Sequence, residues 1–126
     1  MKVPHQLIDY YLSVVTVTYY NDHDTPPDEL GGYDDFIDAM RANAERRGDL
    51  GTLKTVFVHL LSHPELDLER YAGGRYPYDD GEIREILTYA VDRIWGPGAS
   101  VAPEPVELVQ QSVDDYWRGR PQGAGA

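Results

Sequence analysis

Asp79-Asp80-Gly81-Glu82-Ile83-Arg84-Glu85-Ile86-Leu87-Thr88-Tyr89-Ala90-Val91-Asp92-Arg93-Ile94-Trp95 decides the fold class. Its apolar residues at 83, 86, 87, 90, 91 and 94 recur at helical spacing and form one stripe. Asp79 and Glu82 stand at capping-box spacing, which opens the helix, and Gly96-Pro97-Gly98 closes it.

Upstream, three further stretches show the same period. From Pro4 to Tyr20 the residues Leu7, Ile8, Tyr11, Leu12 and Val15 share a helical face. The end of this stretch, Val14 to Tyr20, is β-branched and alternating, so a strand and a helix that frays early are both open. Asn21 to Gly32 reads as a loop punctuated by Pro26-Pro27 and Gly31-Gly32. A second helix is expected from Tyr33 or Asp34 to Arg47, with Tyr33, Phe36, Ile37, Met40 and Ala44 inward and Gly48 as its stop. Asp49 is the expected N-cap of a third helix carrying Leu50, Leu53, Val56, Phe57, Leu60 and Leu61, ended by His63-Pro64.

Glu65 to Tyr71 has room for about two helical turns. Downstream of Trp95, a Pro-rich link Ala99 to Pro103 leads to a last helix from Glu104 or Pro105 to about Arg118, with Val106, Val109, Val113 and Trp117 on one face. Trp95 and Trp117 are expected in the core. The sum is an all-α fold: a single domain over residues 1–118, an antiparallel bundle of five or six helices, and a disordered tail over 119–126.

Composition narrows the function. With 22 Asp plus Glu against 11 Lys plus Arg, the formal net charge is -11. Such a surface repels phosphate backbones and disfavours nucleic-acid binding, while it suits a basic protein partner or simple solubility. Cysteine is absent, which excludes disulfides, cysteine-ligated zinc and thiol catalysis. The first residues lack the pattern of a signal peptide, and no apolar run reaches membrane-spanning length, so a soluble cytoplasmic protein is expected.

Between the third helix and the decisive one lies the hinge Tyr71-Ala72-Gly73-Gly74-Arg75-Tyr76-Pro77-Tyr78-Asp79-Asp80-Gly81-Glu82. Flat aromatic anchors ringed by carboxylates suit a surface that grips a positively charged protein. The expected partner-binding residues are Tyr71, Arg75, Tyr76, Tyr78, Asp79, Asp80, Glu82 and Glu85. A turn tyrosine also packs well on a core, but three such rings within eight residues argue against all of them being buried. Asp79 doubles as a helix cap, with Asp80 and Glu82 favouring the helix dipole. A second acidic stretch runs from Asp22 to Asp38, with seven carboxylates and no Lys or Arg.

No pattern carries catalysis. His59 and His63 stand four apart, yet position 60 is Leu60 where the zinc-protease pattern needs Glu. The pair is read as helix-terminal, and Asp22-His23-Asp24 as solvated loop. Asp79, Asp80 and Glu82 lack the spacing of calcium loops. There is no G-x-S-x-G elbow, and Gly31-Gly32 and Gly73-Gly74 lack the Lys and Ser/Thr of a phosphate cradle. No enzyme activity, metal or cofactor is expected.

The residues about the hinge resemble the small all-α immunity proteins that neutralise nuclease bacteriocins of the colicin and pyocin type. In that family a helix runs into a His-Pro turn, a short helix, a tyrosine-proline stretch, an acidic loop and a final amphipathic helix. Here the order is His63-Pro64, Glu65 to Tyr71, Tyr76-Pro77-Tyr78, Asp79 to Glu82, and the helix from Ile83, about the central third of the chain. The chain departs from the pattern by inserting Gly73-Gly74-Arg75, by placing one tyrosine before Pro77, and by an extra helix after Trp95. The resemblance implies a protein that covers a toxin's basic nuclease surface, with Tyr76 as a hot spot and Asp79 and Asp80 meeting positive charge.

The expected function is therefore an acidic inhibitor, an immunity protein or antitoxin-like factor, that occludes a basic toxin, a nuclease first among them. One alternative is a phage anti-defence inhibitor of a CRISPR or restriction enzyme acting by nucleic-acid charge mimicry. Another is a small metal-dependent hydrolase using His59, His63 and nearby carboxylates.

Overall fold

A computed structural model describes residues 2–97 and 106–119. In chain order it contains β1 (Lys2–Pro4), α1 (His5–Thr16), α2 (Asp34–Arg47), α3 (Leu50–Ser62), α4 (Asp80–Trp95), β2 (Glu107–Val109) and α5 (Val113–Gly119). Three 3₁₀ turns, Thr18–Asn21, Leu30–Tyr33 and Leu68–Tyr71, join them. The protein is mostly helical, as expected, with one two-stranded parallel sheet added.

The long helices bury the stripes that their periodicity marks. Leu7, Ile8, Tyr11, Leu12 and Val15 of α1, Ile37, Met40 and Ala44 of α2, and Leu53, Val56, Phe57 and Leu60 of α3 are all buried. So are Ile83, Ile86, Leu87, Ala90, Val91 and Ile94 of α4, and all of these side chains belong to one cluster. Phe36, Trp95 and Trp117 are half-buried at its margin. The ends of α4 follow the sequence closely. Asp79 accepts from the Glu82 amide at 2.8 Å while Glu82 accepts from the Asp79 amide at 3.1 Å, a complete capping box. Arg93 ties α4 to α2 through both carboxylate oxygens of Asp38, each at 2.9 Å.

One open reading is settled and three expectations are corrected. The β-branched end of the first stretch is not a strand: α1 runs to Thr16 and tightens into a 3₁₀ turn, with the Thr16 hydroxyl bonded back to the Leu12 carbonyl. Glu65 to Tyr71 forms no two-turn helix but the single 3₁₀ turn Leu68–Tyr71. The Leu66 carbonyl, which an α-helix would need, accepts instead from Arg84 at 2.6 Å, and the Leu68 amide is held by Asp80 at 2.7 Å. Asp49 precedes α3, yet its side chain caps nothing there. It turns into the core, fully buried, and accepts from the Tyr11 hydroxyl at 2.5 Å and the Trp117 indole at 2.8 Å.

The third correction concerns the C-terminal stretch, which is not one helix from residue 104 or 105. Glu107–Val109 pairs in parallel with Lys2–Pro4, Val3 opposite Leu108, and only Val113–Gly119 is helical. Strand β1 offers an unpaired edge, and the run Val106 to Val109 supplies residues suited to a pleated surface, so the tertiary partner overrides the helical spacing. Gln6 fastens the strand's end, donating to Gln110 Oε1 at 2.6 Å and accepting from the Gln111 amide at 3.1 Å. The link Ala99 to Pro103 and the tail beyond Gly119 lie outside the described residues; Gly119 itself is the last residue of α5. Among the described residues no helix is long and apolar enough to cross a membrane.

Candidate functional site

The hinge is held from both ends. At Gly73, φ is +81°, and a Cβ there would lie 2.6 Å from Val17 Cγ2 and 2.8 Å from Thr16 Oγ1. Only glycine lets this backbone lie against the end of α1. Arg75 then donates to the Tyr20 carbonyl at 2.9 Å and to Asn21 Oδ1 at 3.3 Å, so this exposed residue is a clamp on the neighbouring turn.

Pro77 makes the sharpest bend. The Tyr78 amide reaches back to the Tyr76 carbonyl at 2.8 Å, a three-residue turn that suits the fixed φ of proline. The bend sends Tyr78 into the core, where it is 2% exposed. Its hydroxyl is shared with those of Tyr20 and Tyr33, each at 2.6 Å. Tyr71, also 2% exposed, bonds His5 Nδ1 at 2.7 Å. Neither ring is the surface anchor expected of it, because in each case a long-range polar partner satisfies the hydroxyl inside. Tyr76 stays half-buried, stacked on Tyr20 with ring centroids 5.9 Å apart and planes 2° from parallel.

The acidic residues divide as well. Asp79 and Glu82 build the capping box. Asp80 is a staple: it holds the Leu68 amide and accepts from Arg84 at 2.8 Å, and the Arg84 bond, with the Leu68 amide behind it, keeps its carboxyl below the usual range. Arg84, which the sequence reading passed over, also donates to the carbonyls of Leu60, His63, Pro64 and Leu66 and so closes the end of α3. A signal for it existed. An arginine near the positive end of a helix is unfavourable unless something local holds it, and Asp80 stands one turn earlier.

What the fold brings together is a cleft of about 160 Å³ between the loop before α2 and the first turns of α4. Pro26, Pro27 and Leu30 wall it, and Tyr33, Tyr78 and Ile86 line it from the core side. Its remaining lining residues are Asp28, Glu29, Glu82 and Glu85. A Cβ on Gly32 would meet Pro27 Cβ at 2.3 Å, so the proline wall rests on a glycine. The side chains of Asp28, Glu29 and Glu85 are exposed and make no hydrogen bond or ion pair with the described residues. The two acidic stretches, remote in sequence, therefore share one aromatic-floored depression. Chemically it can receive a guanidinium or ammonium group, whose charge the carboxylates offset and whose carbon stem the proline and tyrosine surfaces cover.

The histidines do not join this cleft. His59 and His63 lie with ring centroids 4.2 Å apart, and His63 Nδ1 is bonded to the His59 carbonyl at 2.8 Å. Burial, with His63 behind it, holds His59 below the ordinary imidazole value. His23 stacks on Tyr19 and bonds its carbonyl, apart from that pair. Among the described residues no group of three or more His, Cys, Asp or Glu gathers to hold a metal ion.

No protein-family model, curated protein or solved structure matches the chain.

Proposed function

We propose that the chain is an acidic protein-binding inhibitor of the immunity-protein or antitoxin kind, acting inside the cell by covering a basic surface of a toxin, a nuclease first among them. The observation that carries this reading is the meeting of Asp28 and Glu29 with Glu82 and Glu85 around a cleft of proline and tyrosine. A basic residue of the partner enters that cleft while the surrounding charges steer its approach. Of the eight expected contact residues, Tyr76, Asp79, Glu82 and Glu85 are kept as contacts in this reading, and Asp28 and Glu29 join them. Tyr71, Tyr78, Arg75 and Asp80 act by holding the hinge in place.

The order α3, His63-Pro64, 3₁₀ turn, tyrosine-proline bend and α4 supports the resemblance to nuclease-bacteriocin immunity proteins. Antiparallel packing of neighbouring helices, expected from their short links, belongs to the same reading. No metal or cofactor is required by it. A charge mimic directed at a CRISPR or restriction enzyme would present the same face and differs in the enzyme it covers.

The test is co-purification with a toxin encoded beside the gene, using wild type and an Asp28→Asn/Glu29→Gln/Glu85→Gln triple variant. These side chains are exposed and make no described bond, so the melting temperature should hold while association slows and loses salt dependence. Unchanged association in the triple variant would remove the cleft from the account. Inhibition of a restriction or CRISPR nuclease, with no effect on the neighbouring toxin, would favour the mimic.

A further inference from the structure

A second cavity, of about 290 Å³, lies where the start of α1, the end of α3, the Leu68–Tyr71 turn and β2 meet. It shares no lining residue with the acidic cleft. Leu66 and Leu108, both half-buried, give it apolar surface from two separated segments of the chain, with the fully buried Leu60 and Leu68 behind them. Its size is close to the lower end of small-molecule sites, roughly 300 Å³.

Two charged residues of opposite sign, Arg70 and Asp67, stand among its polar lining, and Arg70 also acts on the neighbouring Asp9 carboxylate. Arg70 and Asp67 both face this cavity, yet they form no ion pair with one another. Among the described residues no carboxylate lies within ion-pair distance of Arg70, whose guanidinium sits 5.6 Å from the centroid of the Tyr71 ring. Asp67 uses one oxygen to accept from the Glu69 amide at 3.0 Å and has the other left over. His5 and Tyr71 are bonded to each other.

We propose that this cavity binds a small zwitterion, an α-amino acid with an aliphatic side chain, whose carboxylate meets Arg70, whose ammonium meets Asp67 and whose side chain lies between Leu66 and Leu108. The charges select this class. A bare aliphatic acid brings its carboxylate up to Asp67 as well as Arg70, and a bare amine brings its cation up to Arg70. An uncharged ligand takes water from both protein charges without offering either a contact of its own. A zwitterion satisfies each, and the planar fork of Arg70 suits a carboxylate held by two bonds. Leu108 belongs to β2, so the bound side chain also touches the strand that closes against β1.

The experiment titrates the full chain with L-leucine, following backbone amide shifts and heat of binding, beside isocaproate, which lacks the ammonium, and isoamylamine, which lacks the carboxylate. Saturable binding is expected, with shifts centred on His5, Arg70, Tyr71 and Leu108. Each truncated analogue should bind about tenfold more weakly or worse, as should Arg70→Gln and Asp67→Asn. Both residues are exposed, so both variants should fold, and melting curves without ligand read that directly. The analogue series in wild type decides the matter even where a variant does not fold. No saturation by about 10 mM leucine, shifts centred elsewhere, isocaproate binding as tightly as leucine, or wild-type affinity in Arg70→Gln would each overturn the proposal.

Discussion

Tyr33 and Tyr78 share a hydrogen bond between their hydroxyls, 2.6 Å long, directly beneath the acidic cleft. Tyr20 joins the same Tyr78 oxygen from the turn after α1, so three segments of the chain meet at one phenol. The bond explains why a tyrosine beside a proline is not a surface anchor here: its hydroxyl has two partners inside, and its ring fills space that water would otherwise reach.

Removing that hydroxyl should therefore cost stability. Tyr78→Phe leaves the Tyr20 and Tyr33 hydroxyls short of a buried partner, a loss of about 2 kcal/mol, and Tyr78→Ala adds a cavity for a total of about 3–5 kcal/mol. Tyr76→Ala, at the half-buried ring, should cost about 1 kcal/mol. Urea unfolding of the three variants checks the order, and a Tyr78→Phe protein as stable as wild type would show that the hydroxyl cluster contributes nothing net.

The buried tyrosines also set an alkaline limit. Burial pushes Tyr71 up to about 12 and raises Tyr11, Tyr33 and Tyr78 further; hydrogen bonds add to the rise at Tyr11 through Asp49 and at Tyr78 through Tyr20 and Tyr33, whereas at Tyr33 the bond to Tyr78 works against it. The fold holds these phenols neutral, whereas in the unfolded chain they ionise near the ordinary value of 10. Their contribution is thus complete below pH 10 and is lost as pH rises through that value; for Tyr71 the loss runs on to about 12. Circular dichroism and tyrosinate absorbance, recorded together, should show helix loss coinciding with a cooperative release of protons. Full tyrosine ionisation with the helical signal intact would contradict it.

Much of the fold was legible because burial in α1 to α4 follows a period that needs only local sequence. Val106, Val109, Val113 and Trp117 obey the same spacing, and still Val106 precedes a strand, Val109 ends it and only Val113 and Trp117 are helical, because the deciding factor is the edge of β1, about a hundred residues away in the chain. The site shows the same division. Each acidic stretch was visible, but that Asp28 and Glu29 face Glu82 and Glu85 depends on how the loop before α2 lies on α4. Tyr78 was misplaced for a related reason, since its burial is decided by Tyr20 and Tyr33 rather than by its neighbours in the hinge.

Arg84 should prove the most important single residue for the geometry of the hinge. Its guanidinium carries four carbonyls and Asp80, so Arg84→Ala leaves the end of α3 and the Leu66 carbonyl without their charged donor, at a cost of about 2–3 kcal/mol. Arg84→Lys should recover less than half of this, because one ammonium cannot reproduce a planar fork reaching five oxygens. Amide hydrogen exchange over residues 64–71 should accelerate in both variants. Unchanged protection there would mean that the segment is held by its leucines alone.

The last prediction concerns Asp49, whose carboxylate joins the C-terminal segment to α1. Tyr11 and Trp117 both donate to its Oδ2, and Arg47 lies 4.0 Å from the centroid of the Trp117 ring, so charge, indole and phenol meet at one corner. Asp49→Ala leaves the buried Tyr11 hydroxyl without this acceptor and should cost about 3 kcal/mol. Asp49→Asn keeps an acceptor oxygen without the charge and should lose less. Trp117→Phe keeps the Tyr11 bond intact while losing the indole donor and the better cation–π surface, so about 1 kcal/mol is expected. Denaturation followed by circular dichroism ranks the three, and tryptophan emission reports whether Trp117 leaves its seat in the Asp49 variants before the helices melt. Should Asp49→Ala unfold at the wild-type midpoint with unchanged emission, the carboxylate would be a passenger and the C-terminal segment would be held by β2 alone.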